Sequence, residues 1–65
     1  MSNEYLYDEA RAALLNQYPS LTIMEAYAYN DVYYITTQYR WDNYLYKVWY
    51  DEKWNCKLLG VKVSL

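Results

Sequence analysis

Eleven tyrosines and three tryptophans, with no phenylalanine, crowd a chain of 65 residues, and this ring content sets what the chain can fold into. A chain so short buries only about 60% of the surface that its unfolded form exposes. Its core is thin, and a thin core ordinarily needs disulfides, a metal, oligomerisation or bulky side chains. The single cysteine, Cys56, cannot close an internal disulfide, and the absence of histidine removes the usual zinc ligand sets. Aromatic bulk is what remains, each ring able to bury roughly 150–250 Å².

One glycine and one proline occur in the whole sequence, and no repeat or low-complexity stretch breaks it, so residues 1–65 read as a single compact α+β domain with no linker. From Glu4 to about Gln17, the residues Leu6, Ala10, Ala13, Leu14 and Gln17 fall on helical spacing and make one mostly apolar face. Leu6 and Leu14 are the expected anchors. Ser2 or Asn3 is the expected N-cap, and Glu4, Asp8 and Glu9 suit the positive end of the helix dipole. Pro19 ends the helix, because the residue before a proline is pushed out of the helical region.

From Leu21 onward, β-branched and aromatic residues alternate with polar ones, and short breaks divide them into strands near 21–29, 32–39, 43–50 and 54–64. The fold expected is one N-terminal helix packed on a four-stranded antiparallel β-meander. Asn30 and Asp31 both tolerate positive φ and suit a two-residue hairpin. Pairing Tyr29 with Val32 then sets Ala28 opposite Tyr33, Ala26 opposite Ile35 and Met24 opposite Thr37 on the face that a helix could approach closely. Ile23, Glu25, Tyr27, Tyr29, Val32, Tyr34, Thr36 and Gln38 fall on the other, wetter face. The third strand fits either phase, with Leu45 and Trp49 the preferred inward pair. Trp54, Cys56 and Leu58 share one phase while Val61, Val63 and Leu65 share the opposite one, which a bulge at Leu59–Gly60 reconciles.

Catalytic chemistry is poorly supplied. Without histidine the commonest general base and the Ser-His and Cys-His pairs are missing, and one glycine cannot build a phosphate loop. The adjacent acids Asp8/Glu9 and Asp51/Glu52 sit where solvated surface carboxylates ordinarily occur. Cys56, between Asn55 and Lys57, has no resolving thiol and reads as a half-buried structural cysteine. Asp31, Asp42 and Asn43 are explained by turn formation, with no convergent oxygen set for a hard cation. The chain is read as no enzyme, with no cofactor and no metal site.

A four-stranded sheet with one covered face cannot hide eleven tyrosines, and tyrosine joins large contact area to a polar tip at low entropic cost. Tyr27, Tyr29, Tyr34, Tyr44 and Tyr46 are therefore the candidate partner-binding rings, unless cross-strand tyrosine pairs merely stand in for phenylalanine. No basic n-region with an apolar stretch follows Met1, and no run approaches a membrane span, so a cytoplasmic protein without membrane contact is expected. A net charge of −2, eight acids against six bases, argues against direct nucleic-acid binding.

The order Ala10-Arg11-Ala12-Ala13-Leu14-Leu15, then Tyr18-Pro19, then strands running through Tyr46-Lys47-Val48-Trp49-Tyr50-Asp51-Glu52-Lys53 resembles the small helix-plus-meander modules of the PepSY type over residues 9–59, although its 51–53 turn lacks their glycine. In size, acidity and tyrosine content the chain is also similar in type to phage-encoded anti-defence proteins, including anti-CRISPR inhibitors. That likeness implies a small inhibitor of a host nucleic-acid-processing protein, such as a DNA-binding nuclease. Glu25, Asp31, Asp42, Asp51 and Glu52 would then face a basic cleft beside the tyrosines. The alternatives are a homo-oligomeric structural domain and a weak single-stranded nucleic-acid binder using Arg40, Lys47, Lys53, Lys57 and Lys62 for phosphates.

Overall fold

In the computed structural model, which describes residues 4–63 with side chains from Leu6 onward, one helix lies on one face of a four-stranded antiparallel sheet. The elements are α1 Glu4–Gln17, β1 Thr22–Tyr29, β2 Val32–Tyr39, β3 Asp42–Asp51 and β4 Lys53–Lys62, and the strands stand in the order β1-β2-β3-β4. This is the expected α+β meander. The N-cap expected at Ser2 or Asn3 lies outside the described residues, as does Leu65.

The Tyr18 N–H still donates to the Leu14 carbonyl at 2.9 Å, after which Pro19 forces the chain out, and a Leu21 N–H to Tyr18 carbonyl contact at 3.2 Å turns it into β1. The buried stripe of α1 is Ala10 and Leu14, both fully shielded, with Tyr7 packed beside them. Leu6 is not the second anchor; it is exposed at the helix start. Tyr7 replaces it because its ring reaches Tyr33 of β2, with centroids 6.2 Å apart.

The β1–β2 turn forms as its residues require: Asn30 and Asp31 have φ of 52° and 63°, and Tyr29 pairs with Val32, Ala28 with Tyr33 and Ala26 with Ile35. The ladder then departs from expectation. Ile23 pairs with Thr37 and Glu25 with Thr36, so Met24 is the extra residue of a bulge. Ile23, not Met24, turns inward, and Met24 stands out at 53% exposed. A branched side chain beside Leu21 thus reaches the core. Asp31 occupies a position that glycine satisfies without steric cost. Asp31→Gly is expected to raise stability by about 0.5–1 kcal/mol, or several degrees in Tm, and a thermal melt that falls instead would count against a strained left-handed turn.

Leu45 and Trp49 are not the inward pair of β3. The two-residue turn Arg40–Trp41 sets Tyr39 against Asp42, so Tyr44 falls opposite Thr37, Tyr46 opposite Ile35 and Val48 opposite Tyr33. Tyr33, Ile35, Thr37, Tyr46 and Val48 are all buried on the helix side. Arg40 takes φ 58° there, a conformation that arginine rarely adopts, so no turn residue marked this register in advance. The buried Thr37 hydroxyl is satisfied by donating to the Tyr44 carbonyl at 3.0 Å.

The change of phase in β4 is a bulge at the expected place: Leu45 pairs with Gly60 and Tyr46 with Leu58, leaving Leu59 as the extra residue. Val61 returns to the inner phase opposite Tyr44, although both it and Val63 are exposed. The helix lies over β3 and β4, so Ala26 and Ala28 of β1 remain exposed and do not serve as its seat. Burial scales with apolar area, and Tyr46, Val48, Cys56 and Leu58 offer far more of it than two alanines.

Candidate functional site

The candidate rings and carboxylates divide among three places. Tyr27, Tyr29, Tyr34 and Glu25 lie in the outward phase of β1 and β2, on the face opposite the helix. Tyr27 and Tyr34 are cross-strand partners stacked at 5.1 Å with planes 19° apart, and Tyr27 and Tyr29 are 62% and 65% exposed. Stacking of this kind contributes to the sheet, but it leaves the outer ring surface in water.

Tyr44 and Tyr46 do not join that patch. Both point to the helix side, Tyr46 is only 6% exposed, and its ring meets Tyr18 at 5.2 Å beneath the end of the helix. Burial, with smaller contributions from Tyr18, Tyr44 and Cys56, pushes the Tyr46 phenol above its usual pKa. Asp42 sits at this same far end, in the inward phase of β3 opposite Tyr39, away from the other acids. Tyr46 therefore belongs to the core, and its alternation with Leu45 and Lys47 could not have shown this.

Asp31, Asp51 and Glu52 lie at one end of the sheet, where only Asp31 of the three lines a cleft and Asp51 stands opposite Lys53. The β1–β2 and β3–β4 turns both project from one end of the sheet, and the start of α1 lies over that end. Asp31 sits in one turn, Asp51 and Glu52 in the other, and Glu9 faces them from the helix. The turns are separated by two strand spacings, about 10 Å. Between them opens a cleft of about 620 Å³ lined by Leu6, Glu9, Asp31, Tyr33, Tyr50 and Trp54. Its aromatic wall is continuous: Tyr33 and Trp54 lie 6.3 Å apart, and Tyr50 meets Trp54 edge-on at 5.4 Å. Tyr33 is held protonated above its usual range chiefly by burial and secondarily by the Asp31 carboxylate.

Several exposed groups lie outside the set of candidate tyrosines. Trp49 faces outward with the Lys47 ammonium 5.0 Å from its ring centroid, and Trp41 stands at the tip of the β2–β3 turn at 78% exposure. The two-residue turn at Arg40–Trp41 is what places both. Cys56 is half-buried against the core, and burial raises its thiol pKa, the reverse of what an activated thiolate needs. Among the described residues no group of three or more Cys, Asp or Glu side chains is placed to hold a metal ion, and no helix is long and apolar enough to cross a membrane.

The sequence matches no protein-family model, and comparison with curated proteins and with solved structures finds no significant match.

Proposed function

We propose that this protein is a non-catalytic protein-binding module, a small inhibitor whose acidic end occupies a basic surface on a nucleic-acid-processing partner. The observation that carries this reading is that Glu9 and Asp31 line one cleft with exposed rings at its rim, while Asp51 and Glu52 occupy the neighbouring β3–β4 turn at the same end of the sheet. A single carboxylate at a turn is an ordinary solvated group. Four that share one end create a directed negative potential, which steers association with a positive surface and rejects acidic ones. Tyr29 and Tyr50 beside them supply contact area at little rotamer cost. In its finer form, the partner is a host nuclease of the kind that the phage inhibitors resembling this chain in type act upon.

The test compares the wild-type chain with an Asp31→Lys, Asp51→Lys variant as bait for host nucleic-acid-binding proteins, with circular dichroism to verify folding. Wild type should retain a protein that duplex DNA displaces and that loses its nucleic-acid activity at one-to-one stoichiometry; the variant should retain at least about tenfold less. Retention that survives both the charge reversal and the DNA competitor would remove this reading. A second reading, a homo-oligomer, is favoured by β1, an edge strand whose residues are all exposed except Ile23. Sedimentation at high concentration separates the two readings.

A further inference from the structure

We propose that the outer face of the sheet is a binding track for single-stranded nucleic acid, independent of the reading given to the acidic end, which it meets at the Asp51–Lys53 pair. The net charge of −2 averages over two regions of opposite sign. Lys47, Lys53, Lys57 and Lys62 all fall in the outward phase of β3 and β4, four of the six basic residues of the chain. Glu25 and Asp51 are the carboxylates in that phase among the strands, which leaves a positive surplus on a face of an acidic protein.

Lys53 stands opposite Asp51, but the placement of the other three lysines is costly to the fold or needs a special device. Lys47 and Lys57 are direct cross-strand partners, an arrangement that destabilises a ladder. Their row continues through Tyr34 to Tyr27 and contains no carboxylate. Lys62 reaches the outer phase only because the bulge at Leu59 shifts the register. With that bulge, Lys53, Lys57 and Lys62 stand four register steps apart, a line of three charges about 27 Å long. That length suits a short stretch of roughly four to eight nucleotides.

Two further features describe what lies along this line. Tyr27, Tyr34 and Trp49 present rings on the same face, and base stacking on such rings is tolerant of sequence. A shallow trough of about 530 Å³ crosses the face where Glu25, Thr36, Leu45 and Gly60 share a row, with Lys62 at its β4 end and the Glu25 carboxylate at its β1 end. Gly60 has no positive φ, and a Cβ built on it would meet nothing within 4 Å. Neither backbone conformation nor local packing calls for glycine there. A residue without a side chain in a strand suits the close approach of another backbone, and the phosphate chain of a single strand is complementary in charge to the lysines on either side.

The test is fluorescence anisotropy of a labelled twelve-nucleotide oligothymidine with the full chain between 50 and 200 mM salt. Three or four phosphate contacts give a log–log salt slope of about −2 to −3. Lys57→Glu places an opposite charge against Lys47 and should leave the thermal midpoint unchanged or higher, while weakening oligonucleotide binding about tenfold. Gly60→Val, which fills the trough with a better strand former, should weaken binding with no loss of stability. The proposal is overturned by binding that ignores salt, by a folded Lys57→Glu variant that binds as well as wild type, or by absence of binding at 50 mM salt. It is equally overturned if a polyglutamate peptide displaces the oligonucleotide at equal charge concentration, since the face would then take an acidic polypeptide.

Discussion

Leu14→Ala is expected to cost about 2–5 kcal/mol, a large share of the total stability of so short a chain. Leu14 and Ile35 are completely shielded and stand at the centre of a core whose other fully or nearly buried apolar members are Ala10, Tyr33, Tyr46 and Val48. At typical values per residue, a chain of this length has about 3–10 kcal/mol of stability in total. A cavity in so small an interior has few neighbours able to collapse into it, so the loss should fall in the upper part of that range. Ile35→Val, which removes one methyl group, should cost only about 0.5–1.5 kcal/mol. Leu59→Ala, at the exposed bulge of β4, should change stability by no more than about 0.5 kcal/mol. Urea denaturation would rank the three; a small effect at Leu14 with a large one at Leu59 would mean that the helix does not pack where the structure places it.

Stability should also fail on the alkaline side. Tyr33, Tyr46 and Cys56 each have a pKa raised in the folded state, with burial as the first cause in every case. A group whose folded pKa exceeds its unfolded one binds its proton more tightly when folded, so unfolding releases protons as the pH climbs and stability declines. The contribution of these groups is complete below their unfolded values, about 8.5–9 for the thiol and about 10 for the phenols. It is lost as pH rises through the higher folded values. The midpoint of thermal unfolding should therefore hold steady to about pH 8.5 and drop with increasing slope beyond pH 10. A Tyr33→Phe, Tyr46→Phe double variant should lose less of its midpoint between pH 9 and 11 than wild type. Equal losses in the two proteins would show that the buried phenols do not govern the alkaline limit.

Much of the framework could be read along the chain because its signals are local. The helix ends where Pro19 forbids it, the Asn30–Asp31 turn sets the β1–β2 register near that turn, and the parity change in β4 announced its bulge before Gly60. The phase of β3 could not be read in this way. Tyr44, Tyr46 and Val48 differ little in apolar character from Leu45 and Trp49, and the turn that decides between them is made of Arg40 and Trp41, neither of which is a turn-forming residue. The same limit applied to the candidate site: Tyr27, Tyr29 and Tyr34 followed from a legible turn and lie on the open face, whereas Tyr46 depended on the illegible one and is buried.

By itself, then, the order of residues determined that there would be one helix, four strands and more rings than a small interior can hold. Only the tertiary structure decided which rings went inside, that the helix would settle over β3 and β4, and that acids would collect at one end while lysines spread over one face. The reason is physical: periodicity and chain-breaking residues act over a few neighbours, but the sign and position of a surface depend on register, and each bulge or turn reverses every side chain beyond it.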